Sequence, residues 1–136
     1  MNIQQLDKQV SVSEQMETDT FGSLAESGVE IVVCNRPETE CTAPTYEAMK
    51  AAADEAGMEF VSIPFARGQM TREHCEQFAR LLASGKRIHA FCRTGNRSCN
   101  MWAGARCLQG AEPVEVVSGA RSAGFDVSGV VVAFAD

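Results

Sequence analysis

No stretch of this sequence stays apolar long enough to cross a bilayer, which takes about 20 consecutive residues. The opening MNIQQLDKQV has no apolar core of the kind a secretory leader carries, so the expected location is the cytoplasm. Basic residues are in deficit: 12 Lys and Arg stand against 18 Asp and Glu, a formal net charge of -6. Nucleic acids and anionic membranes recruit basic surfaces, so neither is expected as a partner. Metal ligands are sparse. The two histidines, His74 and His89, show no ligand spacing, and none of the six cysteines forms a C-x-x-C pair. That argues against a zinc site, and no other cofactor is indicated. In a reducing compartment the default reading of most of these thiols is a small buried hydrophobe. Internal repeats, low-complexity tracts and interdomain linkers are also missing. With 136 residues and 45% apolar content, the chain fits a single domain, 1–136, that can bury a core without staples.

What is present is a regular alternation. Glycines at 28, 57, 85, 110 and 124 each close an apolar-periodic stretch, the place where a helix expects a left-handed cap. The first helix is expected over Asp19–Ser27, with Phe21, Leu24 and Ala25 on one face. The second follows Pro44, with Tyr46, Met49 and Ala53 inward. The third starts at the cap Thr71 and turns Cys75, Phe78 and Leu82 inward. A fourth ends at Gly110, and a fifth begins near Pro113 with Val114, Val117 and Ala120 on one face. Short apolar runs lie between them: VEIVVC from Val29, MEFVSI from Met58 and RIHAF from Arg87. QVSVS from Gln9 alternates like an edge strand, and the tail SGVVVAFAD reads as a last strand or a packed extended segment. This order predicts an α/β fold: a mainly parallel sheet of four to five strands flanked by helices.

The chemistry concentrates in HAFCRTGNRSCN, residues 89–100. Cys92 stands at the carboxyl end of a buried strand, where open α/β sheets bind ligands. CRTGNR can curl so that its amides face inward, and the helix that follows adds its positive end. Arg97 can grip oxygens in bidentate fashion, with Arg93 at the rim. This field is expected to hold the Cys92 thiol below its free value of about 8.5 and make it a nucleophile. Thr94 and Asn96 are expected to bond substrate or to close the loop around Gly95, and Ser98 to cap the helix or bond the thiolate. Cys34, at another strand end, reads by default as a buried thiol and alternatively as a partner that resolves an oxidised Cys92. Cys99, Cys107 and Trp102 read as core, His89 as structural, and Arg36 as one half of an ion pair.

Two resemblances meet at these residues. FCRTGNRS resembles the active-site loop of rhodanese-type sulfurtransferases. SVSEQ, GVEIVVCNRPETE, EFVSIPFARGQMTREHCEQFARLL and the loop, in that order, resemble a bacterial family with a dual-specificity-phosphatase-like fold. Its members are called phosphatase-like sulfur transferases, and they also occur as the phosphatase-like domain of β-lactamase hydrolase-like proteins. The resemblance runs from about Ile3 to about Gly129.

Two departures from the cysteine phosphatases bear on the activity. Those enzymes resemble one another in placing five residues between the cysteine and the arginine. Here there are four, Arg93 to Asn96. They also carry a general-acid aspartate on the loop after the third strand, where this chain reads IPFARGQM without a carboxylate. A missing acid forfeits a factor of about a hundred or more on a phosphate ester. The resemblance therefore implies a rhodanese-type sulfurtransferase. Cys92 would take a sulfane sulfur from thiosulfate or a persulfide and pass it to a thiol or cyanide, with Arg67 helping to hold the donor. Implied partners are a small anionic sulfur donor, a thiol acceptor, and a persulfide dioxygenase or thioredoxin-like protein. Two alternatives stand beside it: a protein tyrosine or dual-specificity phosphatase working through a phosphocysteine, and a non-catalytic persulfide carrier or anion-binding module.

Overall fold

The computed structural model describes residues 3–134. β-Branched and apolar residues build the centre of the sheet. Strand β3 (Ile31–Cys34) and strand β5 (Ile88–Phe91) are buried along their whole length, as strands covered on both faces must be. Alternation divides their side chains between two cores. Ile31, Val33, Ile88 and Ala90 enter one, while Val32, Cys34 and Phe91 enter the other. Strand β2 (Val10–Ser13) lies on the far side of β5, and β4 (Glu59–Ser62) beside β3. All three of these pairings are parallel. The sheet order is β1-β2-β5-β3-β4, with β1 (Ile3–Gln5) antiparallel to β2. QVSVS is therefore not an edge strand: IQQ covers it, a segment too short and polar to announce itself by pattern.

The helices follow the expected stripes. In α1 (Phe21–Glu26), preceded by a 3-10 turn over Thr18–Thr20, Phe21 and Leu24 are buried. Met49 and Ala53 of α2 (Tyr46–Glu55) pack on the same face of the sheet, and Tyr46 packs against that core. The opposite face receives α3 (Arg72–Leu82), α4 (Asn96–Leu108), α5 (Pro113–Ser122) and α6 (Ser128–Phe134). Cys75, Phe78 and Leu82 are buried as predicted. Thr71 starts α3, and its N–H donates to His74 Nδ1 at 2.9 Å. All five predicted stop glycines adopt positive φ.

Two expectations fail here. The inward face of α5 is Val116 and Ala120, while Val114 is 79% exposed. The tail is a helix as far as Phe134, neither strand nor extended; its last two residues lie outside the described range. Val131, four residues after Val127, carries its inward stripe: both are buried, and Val131 N–H bonds Val127 O at 3.0 Å. Among the described residues no helix is long and apolar enough to cross a membrane.

Helix α4 is buried around most of its circumference, Cys99, Trp102 and Cys107 included. Gly104 allows this, because a Cβ there would stand 2.5 Å from Cys75 Sγ on α3. Trp102 Nε1 and Arg106 Nε donate to Asp7 Oδ2 at 2.7 and 3.0 Å, tying α4 to the β1–β2 turn. That turn is itself held by Asp7 Oδ1, which accepts the Gln9 and Val10 N–H groups at 2.8 Å.

Candidate active site

Cys92 directly follows β5, and its N–H bonds Ser13 O of β2 at 3.4 Å. The thiol side chain is buried at the base of the loop that leads into α4. Gly95 makes the turn at φ 94°, a left-handed conformation that side-chain-bearing residues resist. In that geometry its N–H donates to Cys92 Sγ at 3.1 Å. Phe125 closes the loop from behind: a Cβ on Gly95 would lie 3.2 Å from Phe125 Cζ. Thr94 Oγ1 accepts the Asn96 N–H at 3.3 Å, so the threonine closes the loop on itself. Helix α4 starts at Asn96 and directs its N-terminal, positive end toward the sulfur.

Above the loop lies a cleft of about 750 Å³. Arg93, Thr94, Asn96 and Arg97 line it from the loop, Arg36 and Glu40 from the segment after β3, and Arg67 from the loop after β4. Of the residues expected to bind an anion, the structure brings Arg67, Arg93, Thr94, Asn96 and Arg97 to this one cleft. Gly95 serves from beneath it. Ser98 does not line it. Its hydroxyl is fully buried and donates to Asn35 Oδ1 at 2.7 Å, and the helix cap position belongs to Gly95. Ser98 is the third residue of α4 and faces the body of the protein, which takes it out of reach as a cap.

Two residues were missed by sequence reasoning. Asn35 is fully buried at the end of β3 and bonds three neighbouring chain segments. Its N–H donates to Phe91 O at 3.0 Å, its O accepts Phe65 N–H at 3.2 Å, and Nδ2 donates to Ile63 O at 2.9 Å. With Ser98 added, it ties the carboxyl ends of β3, β4 and β5 to α4 beneath the cleft. The signal was a lone amide directly after an unbroken apolar strand. Glu40 is the second. It ends a 3-10 turn over Glu38–Glu40 and takes Arg97 in a fork, Nη2 to Oε1 at 2.9 Å and Nη1 to Oε2 at 3.2 Å. Arg97 Nη1 also donates to Phe65 O at 3.0 Å. Arg36 forms the expected ion pair, Nε to Glu40 Oε1 at 3.3 Å, and reaches Gln15 Oε1 with Nη1 at 2.6 Å. The bond from Arg97 holds the Glu40 carboxyl below its ordinary value, and the same bond raises Arg97. Nothing local in ETE signals this pairing, because Arg97 lies 57 positions further along the chain.

Cys92 is buried beneath the cleft and is not itself part of its lining, and no other thiol lines it. Burial pushes Cys34 up to about 12, and its Sγ–H points to Arg36 O at 3.7 Å. Burial likewise raises Cys75 to about 11 and Cys99 to about 12. These are protonated core thiols, and Cys34 takes its default reading. Among the described residues no three His, Cys, Asp or Glu side chains are placed to hold a metal. The loop after β4 offers no carboxylate, so Glu40 is the one acid on the cleft lining.

Residues 2–109 match the family model described as "Beta-lactamase hydrolase-like protein, phosphatase-like domain". Beta-lactamase hydrolase-like proteins from two strains of Xylella fastidiosa are 26% identical over 136 residues, covering 96% of this chain. The chain spans 31% of their length. Among solved structures, a Neisseria meningitidis protein provisionally described as a phosphatase is 26% identical with a TM-score of 0.82. The match covers 98% of this chain and 96% of that one. The PP-IP phosphatase SIW14 of Saccharomyces cerevisiae, at 14% identity, shares the fold with a TM-score of 0.73, over 100% of this chain and 86% of that one. Tk-PTP shares it at 17% identity and a TM-score of 0.74, over 96% and 85%.

These findings correct the expectation of a sulfurtransferase. The family is phosphatase-like, and the N. meningitidis relative is described as a phosphatase, not as a sulfur-transfer enzyme. The physical reason lies in what the two departures govern. A loop one residue shorter and a missing acid affect the size of the cradle and the protonation of a leaving group. Neither decides whether a cradled thiolate meets phosphorus or sulfur. The expected fold is borne out, a helix-flanked sheet of the dual-specificity phosphatase type. The chain belongs to the family of phosphatase-like domains of beta-lactamase hydrolase-like proteins.

Proposed function

We propose that this domain is a cysteine-dependent phosphatase that hydrolyses phosphate monoesters through a phosphocysteine on Cys92. The observation that carries the reading is the loop itself: Gly95 N–H on Cys92 Sγ, with Arg97 at the cleft above. The Cys92 thiolate attacks phosphorus, the P–S bond forms, and the ester P–O bond breaks with its electron pair leaving on oxygen. Water then attacks phosphorus, the P–S bond breaks, and inorganic phosphate departs from a regenerated thiolate. Loop amides and the Arg97 guanidinium are set to hold the phosphoryl oxygens, in which role they act as preorganised dipoles. For Arg97 to do so, its fork must turn from Glu40 to the phosphoryl group.

The departing oxygen finds no proton donor in the loop after β4. Glu40 is a poor substitute, because Arg97 and Arg36 favour its ionised form. The rate is therefore expected to follow leaving-group acidity steeply. Aryl phosphates should turn over about a hundredfold faster than alkyl phosphates, the factor a general acid would supply. The test is phosphate release from a series of aryl and alkyl phosphates by the wild type and by Cys92→Ser. Release that falls with leaving-group pKa and vanishes in Cys92→Ser supports the reading. No release from any ester, or an active Cys92→Ser protein, overturns it.

A further inference from the structure

The lining of the cleft specifies more than a phosphoryl group. It presents four guanidinium groups against the single carboxylate of Glu40. They do not play one part. Arg97 and Arg36 are tied down, with side chains 11% and 16% exposed, and both bond Glu40. Arg67 and Arg93 are exposed, approach from different loops, and form no ion pair or side-chain hydrogen bond among the described residues. A phosphoryl group cradled on Cys92 calls on the loop amides and Arg97. It leaves Arg67 and Arg93 as two further positive charges on the lining, without a side-chain partner among the described residues.

The cleft is also roomy and hydrophilic. At about 750 Å³ it greatly exceeds one phosphate, yet its lining holds no aromatic and no aliphatic residue. A phenyl ring entering it would find guanidinium planes and side-chain stems to lie against, but no apolar pocket that encloses it. Phe65 is buried and stacks on His74 at 4.7 Å between ring centroids, so it is not offered to the cleft. Phe125 lines an adjoining recess of about 230 Å³, on the other side of Arg93 and Thr94, that also contains Glu14.

From these observations we propose that the substrate is a compact polyanion, with a second anionic group next to the scissile phosphoryl group, bound by Arg67 and Arg93. A phosphoanhydride meets every constraint at once. Its leaving group carries its own negative charge toward Arg67 and Arg93, and it departs without a proton, matching the lack of an acid after β4. The bond broken is P–O of the anhydride, the bond formed is P–S on Cys92, and the electron pair leaves with the departing phosphate. A phosphotyrosine side chain fits less well: its ring brings no second negative charge to Arg67 and Arg93, and its phenolate is a poorer leaving group without an acid. This inference rests on the phosphatase reading for its chemistry, while its binding claim can be measured without turnover.

The test uses the full chain carrying Cys92→Ser, titrated calorimetrically in metal-free buffer with pyrophosphate, inorganic phosphate and a phosphotyrosine peptide. Pyrophosphate is expected to bind at least about 10-fold more tightly than phosphate, the gain from charge-assisted bonds to a second anionic group. Adding Arg67→Gln and Arg93→Gln should bring that ratio toward one. Both side chains are exposed, and an unchanged thermal melt would show that the fold is kept. A ratio near one in the Cys92→Ser protein, a ratio indifferent to the two arginines, or tighter binding of the phosphotyrosine peptide overturns the proposal. Wild-type turnover separates the two readings. Hydrolysis of aryl phosphates with a ratio near one sinks the polyanion alone. A high, arginine-dependent ratio without phosphate release from any compound sinks the phosphatase and leaves the polyanion site standing.

Discussion

Glu40 occupies the guanidinium that an incoming phosphoryl group would take. Its carboxylate and the substrate compete for Arg97, so removing its charge should favour the substrate. Glu40→Gln is expected to lower KM for an anionic substrate several-fold, since a nearby like charge is lost. Steady-state kinetics at pH 7 checks this, and an unchanged or higher KM would contradict it. The same pair has a signature in stability. Arg97 lowers the folded value of Glu40 below 4.5, so the stabilisation is present above about 4.5 and is lost as pH falls through the lower folded value. Thermal melts between pH 6 and 3 should therefore show a shallower acid decline in Glu40→Gln. His89 supplies a second pH dependence with a different window. Its Nδ1 and Nε2 each meet a serine hydroxyl, Ser11 and Ser13, at 2.8 Å, and burial lowers its pKa from 6.5 to about 4. As pH falls, the unfolded chain takes up this proton first. Stability should be full above about 6.5 and decline by about 3 kcal/mol on reaching pH 4, as read from urea midpoints. The decline should be missing in His89→Asn, which loses bonds at every pH and has no imidazole to take up the proton.

At the scale of elements, the strand-loop-helix around Cys92 depends on neighbours that hold it from below. Asn35→Ala would strand the buried Ser98 hydroxyl and the Ile63 carbonyl, both now bonded to the amide. The expected cost is about 2–4 kcal/mol in chemical denaturation, together with weaker anion binding as α4 loses its tie to β3. Gly104→Ala tests the other side of α4, where a Cβ meets Cys75 Sγ at 2.5 Å. Overpacking of this kind should cost about 1–3 kcal/mol and leave the cleft chemistry intact. The elements themselves were largely legible. VEIVVC, RIHAF and the stripe Cys75, Phe78, Leu82 carry strand and helix periods strong enough to read directly. The sequence misled where local pattern is weak or degenerate. IQQ becomes a strand only because β2 offers it an open edge. VVVAF satisfies strand and helix patterns alike, and packing on α4 and α5 makes it helical. In α5, Gly119 lies against the Leu6 carbonyl and Trp102, and this contact turns Val116 inward in place of Val114.

Over the whole molecule, charge is divided unevenly. A chain of net charge -6 gathers four arginines around one cleft. An anion approaching from afar meets repulsion, and near the cleft it meets focused attraction, so binding depends on short-range charge contacts in a partly open site. Salt screens such contacts over a Debye length of about 10 Å at 0.1 M. KM for an anionic substrate should rise several-fold between low salt and about 0.3 M, with kcat little changed. A salt-independent KM would mean that Arg67 and Arg93 take no part in binding.

The sequence by itself determined the alternation of strands and helices, the position of Cys92 at a strand end, and the nearby Gly95 and Arg97. Each of these rests on short-range constraint: hydrophobic period, turn chemistry, and spacing along one loop. Only the tertiary structure decided which distant groups complete the site. Glu40 reaches Arg97 across 57 positions, and Asn35 reaches Ser98 across 63. Arg67 meets Arg93 at the cleft because two loops leave the same end of a parallel sheet. Spacing along the chain cannot encode such meetings, since strand order and the packing of helices on the sheet fix them.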